Sequence, residues 1–363
     1  MQKNSLTMGR RRLPESLFCI ALLTLLLFFS SSPIDTVKRA LLLCYTTVIP
    51  AIFPFMIVST LLLRTSAHKV VGALLSGPLR LIFGCSKNAS VAVALGYLSG
   101  FPIGSLSAAT LYNNGEITKG ELKRLLLFIN NPSAAFVVGG VGIGILGSEK
   151  AGRILYLSVL IPSLLVGILS RFFFCEYDDK ENHAKPQSIE KGDSFALVFT
   201  RSVGESAINM LTVCACVVFF SIPVGIIGEI FENPGLCTIL SAFFEISGGC
   251  WAASGLSSKT QMLMLCAVAC SWSGLSVHMQ IFSVLEKCDL TFKPYLISKL
   301  AQSLISPLLV YLFSRGAHDL TLAESQSVAA SPVFQVGFTL LFIVSVVAMG
   351  VLYSLKRVSQ RRA

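Results

Sequence analysis

The chain has 363 residues, 53% hydrophobic and 13% charged, with a formal net charge of +10 and a mean hydropathy of +0.73. Soluble domains carry roughly 25% charged residues, so a soluble globular chain is excluded. The positive charge does not point to nucleic acid, because it gathers at the ends of apolar stretches and no nucleic-acid motif accompanies it.

Lys3, Arg10, Arg11 and Arg12 precede the first apolar stretch, Leu17–Ile34. A basic n-region would also suit a cleaved signal peptide, but the apolar run is long and no Ala-x-Ala site follows. An uncleaved anchor with a cytoplasmic N-terminus is therefore expected. Ala40–Leu63 is a second span, long enough for about 30 Å of hydrocarbon. His68–Phe83 mixes apolar positions with Lys69 and Arg80 and reads as an amphipathic interfacial piece.

The stretch Val93–Glu116, "VALGYLSGFPIGSLSAATLYNNGE", is apolar yet carries helix breakers at its centre. Glycine costs about 1 kcal/mol and proline about 3 kcal/mol within a helix. A re-entrant hairpin over Asn88–Tyr112 resolves this. Each arm then reaches about 15 Å at 1.5 Å per residue, and the Ser99-Gly100-Phe101-Pro102-Ile103-Gly104 tip sits near the midplane. A kinked crossing helix packed through small residues is the alternative.

The next helix, from Thr118, meets Asn130-Asn131-Pro132-Ser133. Proline removes a backbone donor and frees a carbonyl, while two amides offer donors and acceptors to a polar solute or ion. The asparagines also suit a helix N-cap at a kink. Gly139-Gly140-x-Gly142-x-Gly144 lets another helix approach closely. It is no dinucleotide fingerprint, because no strand precedes it.

The polar stretch Cys175–Asp193 is a surface linker dividing the chain. Ser194–Ser206 reads as a second amphipathic piece, followed by a span at Ile208–Gly228. Leu236–Ala253 carries Glu245, a carboxylate with no basic neighbour in its segment, suited to cation binding or proton carriage. A second hairpin is expected at Met262–Glu286, breaking at Ser273-Gly274, with His278 just past the break. Asn209, Gln302 and Ser303 are further polar positions within spans. A loop at Arg315–Ser331, a span at Pro332–Leu355 and a basic tail with Lys356, Arg357, Arg361 and Arg362 close the chain.

The halves look alike. At a constant offset of 174 residues, Ser99 matches Ser273, Gly100 matches Gly274, Leu111 matches Leu285, Lys119 matches Lys293 and Leu122 matches Leu296. Internal repeats with broken helices recur in transporters, with the substrate near the midplane. Charge alone leaves the topology open. Two re-entrant hairpins with no crossing at Leu236–Ala253 put the termini on opposite sides, whereas ten full spans put both inside.

No Gly-x-Ser-x-Gly elbow, His-Glu-x-x-His pair or phosphate-binding loop occurs, so no enzyme activity is expected. The cysteines lack metal or disulfide spacing: Cys214-x-Cys216 is too close for a zinc knuckle, and Cys266 and Cys270 lie one helical turn apart inside a span. No cofactor or metal is expected.

Two blocks carry a family resemblance. "GYLSGFPIGSLSAATLYNNGEITKGELKRLLLFINNPSAAFVVGGVGIGILG" and "SGLSVHMQIFSVLEKCDLTFKPYLISKL" resemble the YlbJ-type sporulation integral membrane proteins, from about Val48 to Phe313. That resemblance implies a bacterial cell-membrane protein with a role in spore formation. It also implies the Gate domain shared with nucleoside transporters and the ferrous-iron transporter FeoB, whose GTPase motif is absent here.

The expectation is thus an all-α polytopic membrane protein of two related, inverted halves, each with a broken or re-entrant hairpin. Residues 1–39 form the basic N-terminus and anchor, 40–174 and 194–315 the halves around the linker 175–193, and 316–363 the last loop, span and basic tail. Ser99, Gly100, Pro102, Gly104, Asn130, Asn131, Ser273, Gly274 and His278 would line a site for a small polar solute or ion, with Glu245 coupling an ion or proton. The rival reading is a non-transporting scaffold for spore envelope assembly. Expected partners are the lipid bilayer, the solute, and a second copy or other sporulation membrane proteins.

Overall fold

The computed structural model describes residues 32–65, 67–173 and 194–316, with positions 16, 20, 23 and 24. The linker, all but the first two residues of the loop at Arg315–Ser331, the span at Pro332–Leu355, the basic termini and most of Leu17–Ile34 lie outside the described residues; Arg315 and Gly316 end a helix. Among the described residues every regular element is helical, as an all-α fold requires.

Helix α1 (Ser32–Leu43) passes through a π-helical turn, Cys44–Val48, into α2 (Ile49–Arg64). Together they give an apolar helix of 31 residues from Ile34 to Arg64, so the boundary expected after residue 39 falls inside one helix. Helix α3 (Ala67–Phe83) is the expected amphipathic piece. It buries His68, Leu79 and Phe83 and leaves Val70, Leu74 and Leu81 outward.

Helices α4 (Ala89–Ser99) and α5 (Ile103–Asn113) pack against each other as a hairpin. The turn uses Gly100 at φ +79 and ψ −170, a conformation essentially reserved for glycine. Behind it the arms touch through glycine: a Cβ on Gly96 would lie 2.6 Å from the Ile129 carbonyl oxygen and 3.3 Å from the Gly104 Cα. Helix α6 (Lys119–Leu126) begins at a Thr118 cap that accepts from the Glu121 amide at 3.1 Å. After the Asn-Asn-Pro-Ser break the chain resumes as a π-helical segment, Ala135–Ile145, and then α7 (Glu149–Phe173). The glycine-rich stretch does bring backbones together, since a Cβ on Gly142 would lie 2.4 Å from the Gly152 Cα.

The second half begins with α8 (Phe195–Ile230), a helix of 36 residues. The piece expected at Ser194–Ser206 is its first turns, capped by Ser194, rather than a separate element. Helices α9 (Pro234–Phe244) and α10 (Ile246–Ser254) form a second hairpin. Its crossing point is Gly249, where a Cβ would lie 2.6 Å from the Ala242 Cα.

This overturns the hairpin expected at Met262–Glu286. Helices α11 (Lys259–Trp272) and α12 (Gly274–Leu285) break at Ser273 and Gly274, whose φ angles are +76 and +68. The chain nevertheless continues as one helical stretch of 30 residues, Lys259–Cys288. The physical reason lies in the partners: α11 buries its face on the last of the described long helices, α13 (Lys293–Gly316), whereas α12 packs on α8, α5 and α9. A hairpin needs its arms to bury each other.

The repeat is therefore real but in a different register. Each half contains a long helix, a hairpin, a broken helix and another long helix. The offset is 145 at the hairpin tips (Gly100 and Glu245), 142 at the breaks (Asn131 and Ser273) and 144 at the last long helices (Glu149 and Lys293). The offset of 174 had aligned the first hairpin with the second broken helix, two different parts of the unit.

Contacts fix which ends lie together. At one end, Arg64 pairs with Glu205, His68 Nε2 lies 2.9 Å from Glu116, and Lys119 donates to Asp289 at 3.1 Å. Arg171 donates to the Leu81 carbonyl at 2.6 Å. The first hairpin opens from this end. Asp35, Glu229, Cys237 and Trp251 gather at the other end, where the second hairpin opens. The halves are thus inverted, and their tips meet in the middle. Leu41, Leu42, Ile208, Leu211, Leu304 and Leu308 point outward, an apolar surface matching hydrocarbon rather than water.

Candidate functional site

Breaking a helix strands its carbonyls, and each buried one needs a donor. Here the side chains do the work. Asn130 Nδ2 donates to the Leu126 carbonyl at 3.2 Å, and Asn131 Nδ2 to that of Phe128 at 2.7 Å. The asparagines therefore close the C-terminal end of α6. The cap of the following segment is Ser133, whose hydroxyl accepts from the Phe136 amide at 3.2 Å, so the N-cap role expected of the asparagines belongs to Ser133.

The first hairpin tip docks on this break. The Phe101 amide donates to the Asn131 carbonyl at 2.9 Å, and Ser105 Oγ donates to Asn130 Oδ1 at 2.6 Å. Gly100 lies so close that a Cβ there would stand 2.7 Å from the Ser133 nitrogen. Helix α13 closes the same break from the other half. Ser298 Oγ and Gln302 Nε2 donate to the Leu127 carbonyl at 2.6 and 2.9 Å, and Lys299 Nζ donates to that of Asn130 at 2.8 Å. Lys299 is 1% exposed. A cation at a helix C-terminus is favoured by the backbone dipoles.

The second tip repeats the plan on its own break. A Cβ on Gly274 would lie 3.0 Å from the Phe244 carbonyl oxygen and 3.1 Å from the Glu245 Cα. Glu245 sits at that tip rather than at a helix centre. Its carboxylate caps α10, accepting from the Gly248 amide at 2.7 Å and from the Ser247 hydroxyl.

Two cavities meet this centre. A vestibule of about 680 Å³ opens between α1, α8, α9 and α10, with Asp35, Arg39, Glu229, Ser241, Glu245 and Trp251 among its walls. A chamber of about 30 Å³ lies where the tips converge. Phe101 comes to it from the first tip and Ser133 from the first break. Glu245 and Ile246 come from the second tip, and Gln280 from beyond the second break. Glu245 lines both cavities.

Of the expected site residues, Gly100, Asn130 and Asn131 come together at one break, and Gly274 joins Glu245 at the other. Gly104 serves the hairpin crossing, where a Cβ would lie 2.7 Å from the Ile129 carbonyl oxygen. Ser99 and Pro102 flank the first turn and line neither cavity. Ser273 donates to the Cys270 carbonyl at 3.3 Å. His278 lines neither cavity: its Nδ1 lies 2.8 Å from the Tyr295 hydroxyl, and its ring packs beside Trp272 and Phe282. Several buried polar atoms lack a hydrogen-bond partner, among them Ser99 Oγ, Asn131 Oδ1, Ser241 Oγ, His278 Nε2 and Gln280 Oε1.

The sequence reading passed over Lys299 and Ser298. The signal was there, since a lysine inside "LISKLAQSLISPLL" is a charge within an apolar run. Among the described residues no group of three or more His, Cys, Asp or Glu side chains is arranged to hold a metal.

Among the described residues, five helices are long and apolar enough to cross a membrane. With the inverted halves and the tips meeting at the centre, they define a multi-pass, all-helical membrane protein. No family model matches the chain, and no solved structure matches it. The chain is similar to the sporulation integral membrane protein YlbJ of Bacillus subtilis (strain 168). The two are 25% identical over 309 residues, 76% of each chain, a similarity that supports a YlbJ-type assignment. The Gate likeness rests on the two sequence blocks alone.

Proposed function

We propose that this protein is a transporter or channel-like protein that moves a small polar solute or ion through a bacterial cell membrane during spore formation. The spore role follows the name of its Bacillus relative. The transport role is supported chiefly by one observation: two hairpins from opposite ends meet two broken helices around unpartnered polar groups. Non-helical backbone at membrane depth is tolerated where it is buried in protein or lines a water-filled cavity, and this is the plan of transporter binding sites.

Orientation follows from charge. The end carrying Arg64, Lys69, Lys87, Lys119, Lys123, Arg171, Arg201, Lys287 and Lys293, with Glu116, Glu205 and Asp289 among them, holds more Lys and Arg than the end carrying Lys38, Arg39, Lys150, Arg153 and Lys259. The positive-inside rule makes the first end cytoplasmic. Each hairpin returns to its own side, so each half crosses three times. With the crossings expected from the sequence at Leu17–Ile34 and Pro332–Leu355, both basic termini would fall at the cytoplasmic end, and the vestibule faces the opposite side.

The test is a thermal-shift screen of purified protein against nucleosides, amino acids, aromatic dicarboxylates and divalent metals, beside Asn131→Ala. A ligand at 100 times its dissociation constant stabilises the folded state by about 2.7 kcal/mol. A shift present in wild type and lost in Asn131→Ala supports the site. If no compound shifts the protein and reconstituted vesicles pass none of them, the scaffold reading replaces transport.

A further inference from the structure

The chamber between the hairpin tips has a chemical character of its own. Glu245 is the one formally charged residue in its lining, and Val48, Ile52, Val213, Val217 and Val277 supply half of the rest. Gln280 is 2% exposed. Its Nε2 donates to Ser276 Oγ at 3.3 Å, which leaves Oε1 without a donor. Ser133 also lines the chamber; its hydroxyl accepts from the Phe136 amide and keeps a second lone pair. A buried acceptor without a partner costs about 1–3 kcal/mol, so this arrangement calls for a guest that accepts electron density from oxygen.

We propose that the chamber is a binding site for one alkali-metal cation, held by the Glu245 carboxylate, the Gln280 amide oxygen and the Ser133 hydroxyl, and loaded through the vestibule. Carboxylate, amide and hydroxyl oxygens suit hard cations. One carboxylate balances one positive charge, whereas a divalent ion would leave net charge among valines and isoleucine, which is costly. The volume agrees, since about 10–15 Å³ is enough for a water-sized guest.

The route is also present. The vestibule reaches Glu245 past Asp35 and Glu229, with Arg39 its one basic wall residue, and acidic walls concentrate cations. Ser241 lies along it, 1% exposed and with no hydrogen-bond partner for its hydroxyl. Lys299 is outside the chamber lining, its ammonium turned to the Asn130 carbonyl. That the cation drives solute movement rests on the transport reading; that it binds does not.

The experiment uses purified full-length protein in detergent at constant pH, with choline chloride holding ionic strength. Sodium, lithium and potassium chlorides are titrated in its place. Thermal unfolding is read with a thiol-reactive dye, which reports the buried Cys250, Cys266 and Cys270. Tryptophan emission is followed as well, because Trp251 lines the vestibule. At least one alkali ion should raise the melting point saturably where choline does not. Gln280→Met keeps the volume and removes the amide oxygen. It should melt like wild type in choline yet need at least the roughly tenfold more cation that losing even an outer partner costs a metal site. Glu245→Gln should abolish the response. Equal behaviour in choline and alkali salts, or a wild-type response from Gln280→Met, overturns the site. A cation response without solute passage would sink the transport reading and leave the site standing. Solute binding without a cation response would do the reverse.

Discussion

Replacing Gly100 by alanine puts the first hairpin tip to a quantitative test. The residue sits at φ +79 and ψ −170, where an L-residue pays about 1–3 kcal/mol of backbone strain. The new Cβ would also stand 2.7 Å from the Ser133 nitrogen and 3.0 Å from the Asn131 carbonyl oxygen. Both are backbone atoms that cannot swing aside, and overpacking of this kind costs about 1–3 kcal/mol. The combined loss is about 2–6 kcal/mol if the two effects add. The matched control is Gly204→Ala in α8, where a Cβ would meet nothing within 4 Å and alanine should gain about 0.5–1 kcal/mol. Thermal unfolding of both variants in the same detergent, read with the thiol dye, gives the comparison. Gly100→Ala should melt well below wild type and Gly204→Ala at or slightly above it. If the two variants melt together, the tip is not docked on the Asn-Asn-Pro-Ser break as described.

Two further outcomes follow from single contacts. Tyr295→Phe removes the hydroxyl that meets His278 Nδ1 at 2.8 Å; with both residues buried, the orphaned ring nitrogen should cost about 1–3 kcal/mol. His278→Leu should then make the loss of the Tyr295 hydroxyl much cheaper, as a double-mutant unfolding cycle will report. The Arg64–Glu205 pair joins the two halves at the basic end, but its side chains are 34% and 49% exposed. A cycle of Arg64→Ala and Glu205→Ala should give a coupling of only about 0.2–1 kcal/mol, fading as salt is raised. A coupling several times larger and indifferent to salt would contradict that exposure.

Much of the membrane character and the local breaks could be read from single segments, because bilayer thickness and backbone chemistry act locally. The run of charge-free residues from Ala40 to Leu63 requires a helix in hydrocarbon. The glycines and proline between Ser99 and Gly104 require a turn, and Pro132 strands a carbonyl whatever surrounds it. The second hairpin was not legible in this way. Leu236–Ala253 has no proline at its centre, and its turn is made by Glu245 capping the next helix, a role that the residue's identity does not announce. Ser273-Gly274 looked like the first tip but serves as a kink.

Sequence by itself determined the solvent, the helical class and the places where helices must break, since each is set by the chemistry of a few neighbouring residues. Only the tertiary structure decided which breaks reverse the chain, which register relates the halves, and that Lys299, Asn130 and the first tip share one junction. Those depend on which faces bury each other once the helices are packed, over separations from the arms of one hairpin to Lys299 on Asn130, and a close approach such as Gly249 on Ala242 exists only once both backbones are in place.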